Sequence, residues 1–131
     1  MAFFHLTDNF PDKGVKMIFS ESLKKTDDFR NVYENGRSVA DKNIVVYVWK
    51  NGTTRNRLGI SCSKKIGNSV VRHRFARLVR EAYRLHEDMF NSGLDIVVVA
   101  RACARDASFF NIEDSLLSLA GKARIIKNGG N

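Results

Sequence analysis

The chain has 131 residues, 44% of them hydrophobic, and its 22 Lys and Arg against 14 Asp and Glu give a net charge of +8. That length fits one domain with a modest core, and so basic a balance points first to nucleic acid. No run of about 18 apolar residues exists, which argues against a membrane-spanning helix, and two cysteines, Cys62 and Cys103, are too few for a disulfide framework or a zinc cluster.

Residues 1–21 carry little periodicity, include Pro11 and Gly14, and read as an N-terminal tail. The opening Met-Ala-Phe-Phe-His-Leu lacks the basic start and length of a signal peptide. A domain over 22–127 and a loose C-terminus over 128–131 complete the expected organisation. Thr26 to Glu34 predicts a short helix, with Thr26 as its cap, Asp27 and Asp28 near its positive end and Gly36 as its stop. Phe29, Val32 and Tyr33 share one face of it, the usual arrangement for core contacts.

Ser38 to Lys50 reads as an extended run with an irregularity at Asp41-Lys42-Asn43. Ile44 to Trp49 is rich in β-branched and aromatic residues and reads as a strand covered on both faces. Asn51-Gly52 predicts a hairpin turn, with the returning strand at Arg57 to Cys62. Asn91-Ser92-Gly93 precedes an almost unbroken apolar strand, Leu94 to Ala100, whose composition suits the centre of a sheet. Ile112, Leu116, Leu117, Leu119 and Ala120 mark a last helix capped near Ser108 or Asn111. Both cysteines fall in or beside strands and read as small buried hydrophobes, consistent with a reducing cytoplasm.

The chemistry concentrates between Ser63 and His86. Lys64 and Lys65 lead into a Gly67-Asn68 turn, and a helix is predicted over 70–86. Val71, Phe75, Leu78, Ala82 and Leu85 fall within an arc of roughly 80° at 100° per residue. His73, Arg77, Arg80 and Arg84 occupy about the opposite side, with Arg72 and Arg74 on the flanks. Between Lys64 and Arg84 stand seven Lys or Arg and one acid, Glu81. Like charges stacked three and four apart repel, so a sequence needing only a helix would interleave Glu. A solvated arginine face is the plain alternative; the missing acids favour a polyanion.

Lys64-Lys65-Ile66-Gly67-Asn68, then Arg72-His73-Arg74, then Arg77 and Arg80-Glu81, resembles the signature of the bacterial ribonuclease P protein subunit. Three positions depart from the family pattern: Ser69 stands for Ala, His73 for Asn and Ala76 for Lys. Asp28-Phe29-Arg30-Asn31-Val32-Tyr33 with Gly36 resembles the family's first helix. Met17-Ile18-Phe19-Ser20-Glu21-Ser22-Leu23-Lys24-Lys25 resembles its usual start, which would make 1–16 an extension.

The resemblance implies an α/β two-layer sandwich with a small mixed four-stranded sheet, like a ribosomal-protein domain. It also implies a left-handed crossover through the basic helix, against the general right-handed rule. It implies a monomeric accessory protein, one per catalytic RNA, that helps remove the 5′ leader from precursor tRNA with Mg²⁺ held mainly by the RNA. Lys64, Lys65, Asn68, Arg72, His73, Arg74, Arg77, Arg80 and Arg84 would then contact the RNA subunit, and Phe29, Tyr33 and Tyr47 would line a cleft for the single-stranded leader. Tyr47 also fits a half-buried sheet position, and Tyr33 is the more open of the two helix aromatics because its hydroxyl wants a partner.

No catalytic set can be placed on the protein itself. His5, His73 and His86 match no Ser-His-Asp or Cys-His spacing, and no His-Glu-x-x-His or paired carboxylates stand out. No residue is expected to ligate a metal. Two other readings use the same helix: a general RNA-binding or ribosomal accessory domain, and a module docking an acidic protein or a membrane surface. The second would need the apolar stripe exposed, whereas the flanking strands favour its burial.

Overall fold

A computed structural model describes Met17, residues 19–127 and the short strand His5–Leu6. The rest of the expected extension, 1–16, and the C-terminal residues 128–131 lie outside the described residues. Chain order is β1 (His5–Leu6), β2 (Ser20–Ser22), α1 (Thr26–Asn35), β3 (Arg37–Ala40), β4 (Ile44–Lys50), β5 (Asn56–Ser61), α2 (Ser69–His86), β6 (Leu94–Ala100) and α3 (Phe109–Lys122). Short 3-10 turns at Glu87–Met89 and Ala102–Asp106 flank β6.

The mixed sheet has six strands rather than four: the four longer ones run in the order β5-β6-β4-β3, and β1 and β2 both pair with the outer edge of β5. β6 runs parallel to β5 and antiparallel to β4, and every one of its residues is buried. A continuous apolar run belongs at that central position. α2 makes the crossover between the two parallel strands.

The strand alternation gives the sheet two unlike faces. Ile44, Val46, Val48, Leu58, Ile60, Ile96 and Val98 face α2 and α3, with Phe75, Val79, Tyr83, Ile112, Leu116 and Leu119 closing the core. Val97 and Val99 face the other way, beneath Leu23, Phe29 and Val32, with Tyr33, Val45, Tyr47 and Trp49 only partly covered. β4 is therefore covered on one face and half-covered on the other, not covered on both.

Several local expectations change. The run 38–50 is two strands, joined at Asp41, which accepts hydrogen bonds from the N–H groups of Asn43 and Ile44 at 2.8 and 3.0 Å. Partial burial pushes the Asp41 carboxyl up, but the Ser115 hydroxyl, those two N–H groups and Arg101 outweigh it and hold it below its ordinary value. Asn51-Gly52 does turn the chain, with Gly52 at φ 76°, but β4 and β5 are not paired. β6 inserts between them, because a buried strand that is apolar at every position but Asp95 outcompetes a local hairpin. Lys25, not Thr26, sits at the α1 N-cap position. Ser108 caps α3 in a reciprocal capping box with Asn111. Cys62 is buried as expected, but Cys103 lies exposed in the turn after β6.

Candidate nucleic-acid interface

The basic loop is built by close contacts. Asn68 caps α2, its side-chain oxygen accepting from the Val71 N–H at 3.0 Å. Gly67 admits no side chain: a Cβ there would lie 2.7 Å from Val71 and 2.9 Å from the Arg105 guanidinium. Three arginines tie the loop and its surroundings to backbone carbonyls. Arg72 donates to Gly67 at 3.1 Å, Arg105 to Ile66 at 2.9 Å and Arg74 to Ala107 at 2.9 Å. The turn after β6 is thus stitched to the basic loop and to the first turns of α2, and Arg105 adds to the same exposed surface, whereas Arg101 turns to the Asp41 carbonyl between β3 and β4, at 2.9 Å.

Lys64, Lys65, Asn68, His73, Arg74 and Arg77 are exposed, and Arg72 is half-buried. Two expected members of the front differ. Arg80 is only 4% exposed. Arg84 is half-buried and paired with Glu81 at 2.8 Å, and that contact raises its pKa. The cause is a rotation of the buried arc. Phe75, Ala76, Val79, Arg80, Ala82 and Tyr83 point inward, while Leu85 is 48% exposed. Measured at 100° per residue, that arc is turned roughly 90° from the apolar stripe. α2 packs on the sheet and on α3 at once, so two neighbours decide its orientation rather than its most apolar line. Ala76 is fully buried, so this position adds nothing to the open front.

The second surface lies on the half-covered face of the sheet. Tyr33 and Tyr47 meet edge-on with ring centroids 5.0 Å apart, and Phe29 lies 6.4 Å behind Tyr33. Phe29 is 1% exposed, its ring filling the notch left by Gly59, where a Cβ would come within 2.8 Å. It therefore supports the surface rather than lining it. The Tyr33 hydroxyl is buried instead of reaching water. Burial pushes this phenol above its ordinary value, and the Ser61 hydroxyl pulls the other way. Register places Ser61, Val99, Val45 and Ala40 in one row and Gly59, Val97, Tyr47 and Ser38 in the next. Trp49 stands on the same face opposite Asp95, half-buried. The period-two pattern Val45, Tyr47, Trp49 was the available signal for it.

The row at Ser61 is where the two surfaces meet, since β5 ends there and Lys64 follows three residues later. Among the described residues no group of three or more His, Cys, Asp or Glu stands close enough to hold a metal ion. No helix among them is long and apolar enough to cross a membrane.

A mixed sheet backed by two helices on one face, with aromatic rings half-open on the other and a cationic helix start at the strand end, defines a small α/β RNA-binding protein. A family model for ribonuclease P matches residues 17–124, and the chain belongs to the ribonuclease P protein family, which acts in tRNA processing. The ribonuclease P protein component of Lachnoclostridium phytofermentans is 55% identical over 109 residues, 83% of this chain and 94% of that protein. That of Clostridioides difficile is 43% identical, over 81% of this chain and 94% of that protein. The structure of the Staphylococcus aureus RNase P protein matches with a TM-score of 0.76 at 37% identity, covering 82% of this chain and 99% of that one. The Thermotoga maritima RNase P protein matches at 0.72 and 31%, covering 78% and 96%.

Proposed function

We propose that this protein binds the catalytic RNA of ribonuclease P as a monomer, one per RNA, and helps it remove the 5′ leader of precursor tRNA by phosphodiester hydrolysis. One observation supports this reading most: the exposed cations Lys64 and Lys65, with Arg74 and Arg77 on the helix they lead into, follow the end of β5 at Ser61, whose hydroxyl lies beside Tyr33 of the half-open Tyr33–Tyr47 strip. Planar guanidiniums suit phosphate oxygens. Flat rings without base-edge readout give affinity with little sequence choice, which suits leaders of many sequences. In this reading Mg²⁺ is held mainly by the RNA, and the protein has two tasks, gripping backbone and holding the leader.

Reconstitution with a bacterial ribonuclease P RNA at low Mg²⁺ tests it, scoring 5′ cleavage of precursor tRNA. Stimulated cleavage is expected, with RNA affinity falling by about 0.7 to 0.9 log unit per log unit of salt for each phosphate neutralised. Binding without stimulation would make the protein a general RNA-binding domain instead.

A further inference from the structure

Arg57 lies on the half-covered face at the opposite end of β5 from the basic loop. Its Nε and Nη2 donate to the two carboxylate oxygens of Asp95 at 2.8 and 2.6 Å, and its Nη1 donates to Asp28 at 3.2 Å. Asp95 is buried in β6 and is also held by the Asn51 amide at 2.9 Å. Asp28 belongs to α1, so a single guanidinium ties that helix to the two central parallel strands. The fork geometry of Arg allows this double engagement, and Lys lacks it.

The same helix carries Tyr33 little more than one turn further on. Phe29 lies between them in its Gly59 notch, against the sheet. α1 therefore touches the sheet at a fixed point, with a polar stay on one side and the Tyr33 ring on the other. Tyr33 is the half of the strip that belongs to the helix, whereas Tyr47 belongs to the sheet. Their separation depends on how α1 is seated.

We propose that Arg57 is a positioning residue for single-stranded RNA: by tying Asp28 and Asp95 together it sets how the Tyr33 ring seats against Tyr47, the edge-on pair on which an unpaired base stacks. The inference rests on the leader-binding reading above. Arg57 itself need not touch RNA, since all three of its donor nitrogens are turned to carboxylates of the protein.

Asp28→Asn separates this clamp from a simple phosphate contact, because the two roles predict opposite signs for it, and Arg57→Lys tests the fork. Asp28→Asn weakens the stay and removes a negative charge. If Arg57 were a phosphate ligand, freeing it would tighten RNA binding; if it is a clamp, binding weakens. Arg57→Lys keeps the charge and loses the fork. The reconstituted holoenzyme is titrated with precursor tRNA bearing a leader and with mature tRNA, alongside a thermal melt of each protein. Both variants should lower affinity for the leader-bearing substrate about fivefold, the low end for one stacked base. Mature tRNA affinity and the salt slope should stay as in the unmodified protein, and Asp28→Glu should restore the preference. Unchanged or tighter precursor binding by Asp28→Asn overturns the clamp. Equal losses for both substrates overturn it too, because they would report only a loosened fold. Should the unmodified holoenzyme show no preference for a leader, the strip itself fails, which is a different result from the loss of the clamp alone.

Discussion

The two faces of one sheet are put to different uses. On one, α2 and α3 cover alternate residues of β4, β5 and β6 completely, and the large side chains there are all but absent from the surface. On the other, the single short helix α1 covers Val97 and leaves Val45, Tyr47 and Trp49 half-open. The same strands supply both sets, offset by one residue. Stability can therefore be concentrated on one side, and rings can be left partly wet on the other at little cost to the fold.

The largest expected effect tests the sealed side. Phe75→Ala should cost about 3–5 kcal/mol through lost burial and a residual cavity, read as a shift of the urea midpoint. A much smaller shift would mean that the core is shared evenly between the faces. Next is the open side. Tyr33→Ala should weaken leader-bearing precursor by about 1–3 kcal/mol, one stacked base, while the urea midpoint moves far less than for Phe75→Ala. Equal losses for precursor and mature tRNA would remove the leader strip. The smallest effects grade the basic helix. Arg77→Ala should lower the salt slope by about one. Arg84→Ala should lower it less, because that side chain already has Glu81. Arg80→Ala should leave the slope alone and lower stability instead, because that side chain is inside the fold. A slope change at Arg80 as large as at Arg77 would mean that α2 turns on binding RNA.

Much of this arrangement was legible in the sequence, and the failures have a common origin. The ends of α2 and β6 follow from a cap and an apolar run, which are local signals. The motif from Lys64 to Glu81 pointed to the family that the matches establish. What local signals could not show was which element would lie next to which. Asn51-Gly52 announces a turn but not that a strand more than 40 residues later will separate the strands it joins. The apolar stripe of α2 gave the wrong inward direction because α3 adds a second wall. Phe29 looked like a partner of Tyr33, and only the bare backbone at Gly59 explains why one ring sinks and the other remains at the surface.

The cysteines carry a practical consequence. Burial lifts the Cys62 thiol to about 11, so at neutral pH it is both sealed off and almost wholly protonated. Cys103 is open on the turn that Arg105 stitches to the basic loop. A maleimide should therefore attach a single dye or cleavage reagent at Cys103 without prior mutagenesis, and the pattern of strand scission around it would map the neighbouring RNA.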